Sequence, residues 1–277
     1  MRNRVFIKVQ DGCDNFCSYC IVPHLRGRST SRRINEIIDE IKTLPDFVKE
    51  VVLTGIDLSS FTGLGELCAE IDRLFKETNR TFRLSSIEVR IITDEFLNVL
   101  KSCKSFCQSF HIPLQSGSDN VLKAMNRKYT TAEYLRKVNL VRSIFPDSQI
   151  TTDVICGFPS ETESDFLTTV EFIKSIGFLD CHIFPYSQRT GTAAAHLAQL
   201  PNTVITRRAK ELTEIQKEIS NELKEEYLGK IIIVLFENRK NGFSFGTSRE
   251  YFSVKAKGSH PLDWQKVTID GVETVIL

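Results

Sequence analysis

Six short β-rich runs separated by stretches of helical periodicity restrict this chain more than any other feature. The strand candidates are 5–10 (VFIKVQ), 49–54 (KEVVLT), 82–88 (FRLSSIE), 109–113 (SFHIP), 149–155 (QITTDVI) and 180–185 (DCHIFP). Between them, Ile34, Ile37, Ile38, Ile41 and Leu44 share one helical face, as do Leu67, Ile71, Leu74 and Phe75. Thr130-x-x-Glu133 and Ser160-x-x-Glu163 read as capping boxes and place helix starts near 131 and 161. Strand alternating with helix demands parallel β/α units. Each strand run is followed by polar or glycine-bearing residues: Cys13 to Cys20, Thr54-Gly55-Ile56-Asp57, Glu88, Gln115-Ser116-Gly117, Asp153 with Gly157, and Tyr186 to Arg189. Strand C-terminal ends build the ligand site in open sheets and barrels alike. The expected fold is α/β, a partial parallel (β/α)6 barrel with these ends converging on one mouth.

A long helix is expected over 203–227, its stripe formed by Ile205, Ala209, Leu212, Ile215, Ile219 and Leu223 and its end marked by Gly229. The rest changes character. IIIVLF, GFSFGT, EYFSVKA, KVTI and VETVIL read as five short strands, with turns at Asn241-Gly242 and Asp270-Gly271. That pattern predicts a small C-terminal antiparallel β-barrel over 229–277, following a first domain over 1–228.

No apolar run approaches the ~18–20 residues a bilayer span needs. Met-Arg-Asn-Arg-Val, at the start, lacks a signal peptide's apolar core. A cytoplasmic protein without a membrane partner is the expectation, and its eight cysteines are then thiols or metal ligands rather than disulfides. A net charge of +1 excludes a global pull toward nucleic acid. Charge is local instead. Residues 1–33 carry Arg2, Arg4, Lys8, Arg26, Arg28, Arg32 and Arg33 against Asp11 and Asp14. Such a cluster is most often a solvated face; its place beside cysteines favours an anionic partner.

The cysteines are spaced Cys13-x3-Cys17-x2-Cys20, and the next is Cys68. Zinc ribbons use two separate Cys-x2-Cys pairs, and a redox Cys-x2-Cys has no use for Cys13. Three thiolates on a tight loop can hold three irons of a [4Fe–4S] cluster and leave the fourth open to a small ligand. The alternative is a chance grouping, against which the surrounding Asp, Asn and Ser residues argue. Cys68, Cys156 and Cys181 read as buried thiols; Cys103 and Cys107 have a spacing that could bind metal but lack a third partner.

Cys-x3-Cys-x2-Cys with Tyr19 before the last cysteine resembles the radical S-adenosylmethionine (SAM) enzymes. "KVQDGCDNFCSYCIVPHLRGR", "VVLTGID", "RLSSIE", "HIPLQSGSDNVLKAMNRKYT", "TTDVICGFPSETESDF" and "HIFPYSQRTGTAAA" resemble the radical core of the methylthiotransferases. Within them the similarity is greatest to the MtaB type, which adds a methylthio group to C2 of N6-threonylcarbamoyladenosine beside the tRNA anticodon. The resemblance covers about residues 4–225. The tail is similar, more loosely, to the RNA-binding TRAM domain, although residues 224–277 carry eight basic against seven acidic residues. Phe243, Phe245, Tyr251 and Phe252 could stack on bases there, with core packing the commoner role.

The resemblance implies that Cys13, Cys17 and Cys20 hold a [4Fe–4S] cluster whose open iron is chelated by SAM. It implies Tyr19, Thr54, Gly55, Asp57, Glu88, Gln115, Ser116, Asp153 and Gly157 as lining for SAM, with Asp57 facing its ammonium. Turn-capping or buried, satisfied polar roles compete for several of these. Arg26, Arg28, Arg32 and Arg33 are implied contacts to tRNA phosphate or to the cofactor carboxylate; Arg127 and Lys128 are weaker candidates of the same kind. Partners are then tRNA and an electron donor such as a flavodoxin-type reductant, with the chain a monomer. Relatives of this type carry an N-terminal domain holding a second cluster, expected here only outside this chain, which reads as a truncated form. The competing functions are methylthiolation of a ribosomal-protein side chain and a non-enzymatic RNA-binding remnant with a structural metal.

Overall fold

The computed structural model describes residues 2–271. In chain order the elements are β1 (Arg4–Asp11), α1 (Val22–Arg26), β2 (Thr30–Ser31), α2 (Ile34–Thr43), β3 (Glu50–Gly55), α3 (Leu64–Phe75), β4 (Thr81–Leu84), α4 (Asp94–Ser102), β5 (Ser109–His111), α5 (Asp119–Ala124), α6 (Thr131–Ile144), β6 (Gln149–Cys156), α7 (Glu163–Ile176), β7 (Asp180–Pro185) and α8 (Asn202–Glu225). A C-terminal unit follows: β8 (Ile231–Lys240), β9 (Phe243–Ser248), β10 (Ser253–Lys257) and β11 (Trp264–Thr268).

All six expected parallel strands form, in two sheets rather than one continuous ladder. β1, β3 and β4 pair in parallel, with the short β2 antiparallel on the outer edge of β1. β5, β6 and β7 form the second parallel sheet. The sheets meet where the Ile87 N–H donates to His111 O (3.0 Å) and Phe82 bridges Phe106. β4 stops short of the expected run because Ser85–Glu88 leave the ladder, and a tight 3-10 turn, Val89–Ile91, follows.

Strand alternation sorts the side chains. Val51 and Leu53 of β3 are fully buried against the helix layer, where Ile37 and Ile41 of α2 and Leu67 and Ile71 of α3 present the expected stripes. Full burial of each such side chain contributes ~1.5–3 kcal/mol. Glu50, Val52 and Thr54 alternate to the inner face, which carries the polar groups.

Local signals explain the helix starts, with one correction. Thr130 caps α6 by accepting from the Glu133 N–H, as expected. The second box is not Ser160-x-x-Glu163. It lies two residues later, where Thr162 accepts from the Asp165 N–H and Asp165 accepts from the Thr162 N–H. Ser160 has φ +80° and belongs to the turn before the helix.

The C-terminal strands form one antiparallel sheet in the order β10-β9-β8-β11. Asn241 and Gly242 both have positive φ (52° and 78°), the geometry of a tight hairpin between β8 and β9. The expected fifth strand, VETVIL, lies outside the described residues. Val234 and Phe236 of β8, Val254 of β10 and Val267 of β11 make a small core separate from the main one.

Candidate cofactor site at the strand ends

The cysteine loop leaves β1 through Gly12, with φ +72°. A Cβ there would sit 2.0 Å from the Arg28 carbonyl oxygen, so only glycine fits. Gln10, 1% exposed, organises the turn. Its Nε2 donates to Asp11 O (2.8 Å), Gly12 O (2.7 Å) and Ser29 Oγ (2.9 Å), and its Oε1 accepts from the Asp57 N–H (2.8 Å). Gly55 lets Gln10 pass, since a Cβ there would lie 2.8 Å from Gln10 Oε1. Farther along, the Ser18 N–H donates to Met125 O (3.0 Å), Ser18 O accepts from the Ala194 N–H (2.7 Å) and Asn126 Nδ2 donates to Phe16 O (2.8 Å). The loop is thereby tied to several strand-end segments, and its thiols have defined positions.

Cys13, Cys17 and Cys20 are free and half-buried, whereas Cys68, Cys103, Cys107, Cys156 and Cys181 are buried. Among the described residues, His111, Asp153 and His182 are the only three or more metal-ligating side chains whose ligand atoms lie within 4.8 Å of one another. The three loop thiols lie near enough for Cys17 and Cys20 to act electrostatically on Cys13, and together they can hold three irons of one cluster. The Asn15 N–H points at Cys13 Sγ (3.5 Å) and Arg127 Nη1 at Cys17 Sγ (3.4 Å). Burial, with Asp57 and the neighbouring cysteines, pushes the Cys13 thiol up to about 11 against the Asn15 hydrogen bond. Cluster binding at this loop consequently displaces protons. Cys103 and Cys107 form no metal pair: the Cys103 thiol donates to Val99 O (3.2 Å) and the Cys107 thiol to Glu50 (3.6 Å).

Arg127 is the residue that sequence reasoning undervalued. Its side chain is 5% exposed, and Nη2 donates to Glu88 at 2.6 Å. Its guanidinium also donates to Tyr129 Oη (3.2 Å) and lies over that ring. Despite the desolvation of its site, Arg127 is held charged by Tyr129, Glu88, Tyr19 and Cys17. A cation and a carboxylate thus border Cys17 together. Only their distance in sequence, 39 positions, hid the pairing.

The other expected residues divide. Tyr19 packs edge-on to Phe158 (6.5 Å) beside Val121, Met125 and Tyr186, an apolar wall next to the loop. Asp57 is nearly buried and accepts from Asn15 Nδ2 (3.1 Å), Ser60 Oγ (2.6 Å) and Arg90, while its Oδ1 has no hydrogen-bond partner. Thr54 ends β3, and the Glu88 N–H is held by Ser59 Oγ (2.6 Å). Gln115, at φ +67°, bridges Val154.

Three expected residues depart from the mouth. Ser116 is fully buried against α7, 3.3 Å from Thr169 Oγ1. Gly157, at φ +74°, makes room for Ile205 of α8, which a Cβ would approach to 2.7 Å. Asp153 sits in the middle of β6, on the inner face, between His111 Nε2 (3.2 Å) and His182 Nδ1 (3.1 Å). Of the arginines, Arg26 is exposed, Arg28 pairs with Asp14 (3.0 Å), Arg32 with Glu40 (2.7 Å) and Arg33 with Glu36.

The parallel strands and the three-thiol loop at their C-terminal ends define a radical-SAM type of site. Residues 7–173 match the family model described as the Radical SAM superfamily, and the chain belongs to that superfamily. Its cofactors are a [4Fe–4S] cluster and SAM. More particularly, it is 36% identical over 274 residues to the threonylcarbamoyladenosine tRNA methylthiotransferase MtaB of Bacillus subtilis, covering 94% of this chain and 60% of that protein. It is 34% identical over 271 residues to the tRNA-2-methylthio-N(6)-dimethylallyladenosine synthase of Acetivibrio thermocellus, covering 95% and 55%. The chain thus spans little more than half the length of these curated relatives. Among solved structures, the radical SAM methyltransferase TsrM of Kitasatospora setae shares the fold, with TM-score 0.58, 18% identity, and 69% of this chain and 38% of that one covered. No helix of the described residues is long and apolar enough to cross a membrane.

Proposed function

We propose that this chain is the radical core of a tRNA methylthiotransferase acting on C2 of N6-threonylcarbamoyladenosine beside the anticodon. The observation that carries the reading is the loop of three free, half-buried thiols at the strand ends, in a chain similar over 94% of its length to a methylthiotransferase of that name. Cys13, Cys17 and Cys20 hold the cluster and leave one iron for SAM. When bound, the cluster supplies the electron that splits the sulfonium of SAM. The protein's part is positioning and electrostatics. Arg127 and Glu88 offer a cation and an anion for the carboxylate and ammonium of SAM, Asp57 Oδ1 a further acceptor, and Thr54, Gly55 and Gln115 the neighbouring strand ends. Tyr19 with Phe158 walls the adenine.

The six parallel strands are read as an incomplete (β/α)6 barrel, and residues 229–277 as a TRAM-like RNA-binding unit. Arg26 and Arg28 are read as phosphate contacts, their exposure beside the loop supporting this, with Arg28 exchanging its Asp14 partner for phosphate. Complete methylthiolation is expected to need the second cluster that methylthiotransferases carry N-terminal to this core, and a flavodoxin-type reductant. The test is anaerobic reconstitution followed by reduction. About four irons per chain and release of 5′-deoxyadenosine from SAM are expected; zinc in place of iron, or no cleavage, overturns the reading.

A further inference from the structure

Below the strand ends, the inner faces of both parallel sheets enclose a lumen of about 330 Å³. Its floor is ionic. Arg4 and Arg83 flank Glu50, with Arg4 Nε at 2.7 Å and Arg83 Nη2 at 3.1 Å from the carboxylate. Above the floor, three neighbouring strands each turn one metal-ligating side chain inward. Strand register brings the three together. His111 of β5 stands beside Thr151 of β6, Asp153 follows two residues along the same face, and His182 of β7 stands beside Asp153.

Their geometry is that of a tripod. His111 Nε2 lies 3.2 Å from one oxygen of Asp153, and His182 Nδ1 lies 3.1 Å from the other. All three ligand atoms fall within 4.8 Å of one another. Tetrahedral bonds of ~2.0–2.1 Å separate ligand atoms by ~3.3 Å, so small side-chain shifts admit an ion among them. The two arginines of the lumen are committed to Glu50, which leaves the charge of Asp153 to the two imidazoles or to a cation.

The far nitrogen of each ring is also held, as ligating imidazoles require. His111 Nδ1 lies 2.8 Å from Thr151 Oγ1, on a residue only 3% exposed. A proton on Nδ1 donated there leaves the Nε2 lone pair facing Asp153. His182 Nε2 faces the Asp180 carboxylate at 3.8 Å, which orients Nδ1 in the same way. A simple ion pair needs one histidine; here two converge on one carboxylate, each backed by a partner of its own. Two imidazole nitrogens and a carboxylate suit Zn²⁺ and its first-row neighbours, whereas Mg²⁺ and Ca²⁺ prefer oxygen alone. The His111 and Asp153 side chains are 18% and 22% exposed and His182 47%, so an ion can enter from the lumen and keep a position open to water.

We infer that His111, Asp153 and His182 form a site for one zinc-class divalent cation, separate from the cysteine loop and with a coordination position open to the lumen. The site goes beyond the methylthiotransferase reading and does not depend on it. Without a cation, a proton between Asp153 and an imidazole fills the same gap, so binding is measured at pH ~8. The cluster-loaded chain, its loop thiols occupied by iron, is dialysed anaerobically against buffered Zn²⁺, and bound zinc and iron are counted together. About one zinc is expected beside about four irons, and Mg²⁺ in about thousandfold excess should leave it in place. X-ray absorption at the zinc edge should show nitrogen and oxygen neighbours without sulfur. Asp153→Asn and His111→Gln should each weaken zinc binding about a hundredfold or more, and Thr151→Val and Asp180→Asn about tenfold, with iron unchanged. His260→Ala, outside the lumen, should change neither count. Sulfur in the zinc shell, no zinc above background, or zinc that survives Asp153→Asn and His111→Gln combined overturns the inference. Each of these outcomes leaves the iron count and SAM cleavage, and so the reading above, intact.

Discussion

The two ends of the parallel strands solve opposite problems. At the C-terminal end, backbone and amide hydrogen bonds position the loop, and the thiols stay half-buried and free. At the N-terminal end, Glu50 is fully buried between two arginines, and Arg83 donates onward to Ser109 Oγ and to the Ser248 and Arg249 carbonyls. Every polar side-chain atom of Glu50 and Arg83 is engaged there. One end keeps ligand positions open, and the other shuts them inside a salt bridge. Changes at the mouth should cost chemistry and little stability, and changes at the floor the reverse.

Removing a cluster thiol is the sharpest way to break that contrast. Cys17→Ala should take iron from about four per chain to near zero and abolish SAM cleavage, with the unfolding midpoint of the metal-free chain unchanged. A large loss of metal-free stability would show that the loop is structural. Glu50→Gln probes the other end. It strands Arg83 in a buried site and should cost ~3–5 kcal/mol in urea unfolding; a cost below ~1 kcal/mol would mean that water reaches the floor. Gly55→Ala tests the seam between them, because the new Cβ meets Gln10. It should cost ~1–3 kcal/mol by overpacking and lower cluster occupancy together with stability.

The smallest effect is expected at the middle of the lumen and is pH-dependent. The hydrogen bond to Asp153 raises the His182 pKa against its partial burial. Burial alone would raise Asp153, but hydrogen bonds from His111 and His182 hold it well below the usual carboxylate range. The raised His182 stabilises fully below its unfolded pKa of ~6.5 and loses this as pH climbs through its folded value. The depressed Asp153 contributes above ~3.9 and loses this as pH falls. Wild type should therefore exceed His182→Asn by most near pH ~4–6.5, by less than ~1 kcal/mol given solvent screening, with the gap shrinking toward pH 9. A flat difference across this range would remove the charged pair from the account.

The six strands were legible because alternation with amphipathic helices leaves few folds open, and the cluster ligands because Cys13-x3-Cys17-x2-Cys20 is local. What escaped the sequence is pairing at long range. Arg127 with Glu88, Gln10 with Gly55, and Glu50 with Arg4 and Arg83 each join segments whose nearness is set by strand order rather than by spacing. Ser116 and Gly157 misled in the opposite direction: a polar or glycine residue after a strand looks like ligand lining, yet here each serves a helix packed behind the sheet. The shifted capping box shows how two overlapping motifs, Ser160 with Glu163 and Thr162 with Asp165, differ by a positive φ that composition does not reveal.

Asn3 donates to Phe236 O (2.7 Å) and Leu262 O (3.1 Å), and Trp264 Nε1 to Lys49 O (3.3 Å), so the residues just ahead of β1 and β3 are tied to the C-terminal sheet. On the ribosome this order has a temporal cost. Asn3 must await a partner 233 residues downstream, which at ~5–20 residues per second is roughly 12–47 s of synthesis. Until the C-terminal sheet is made, Arg4 lacks Glu237 and Arg83 lacks the Ser248 and Arg249 carbonyls. The ion cluster at the sheet end is thus completed late in synthesis, by atoms that the C-terminal sheet supplies.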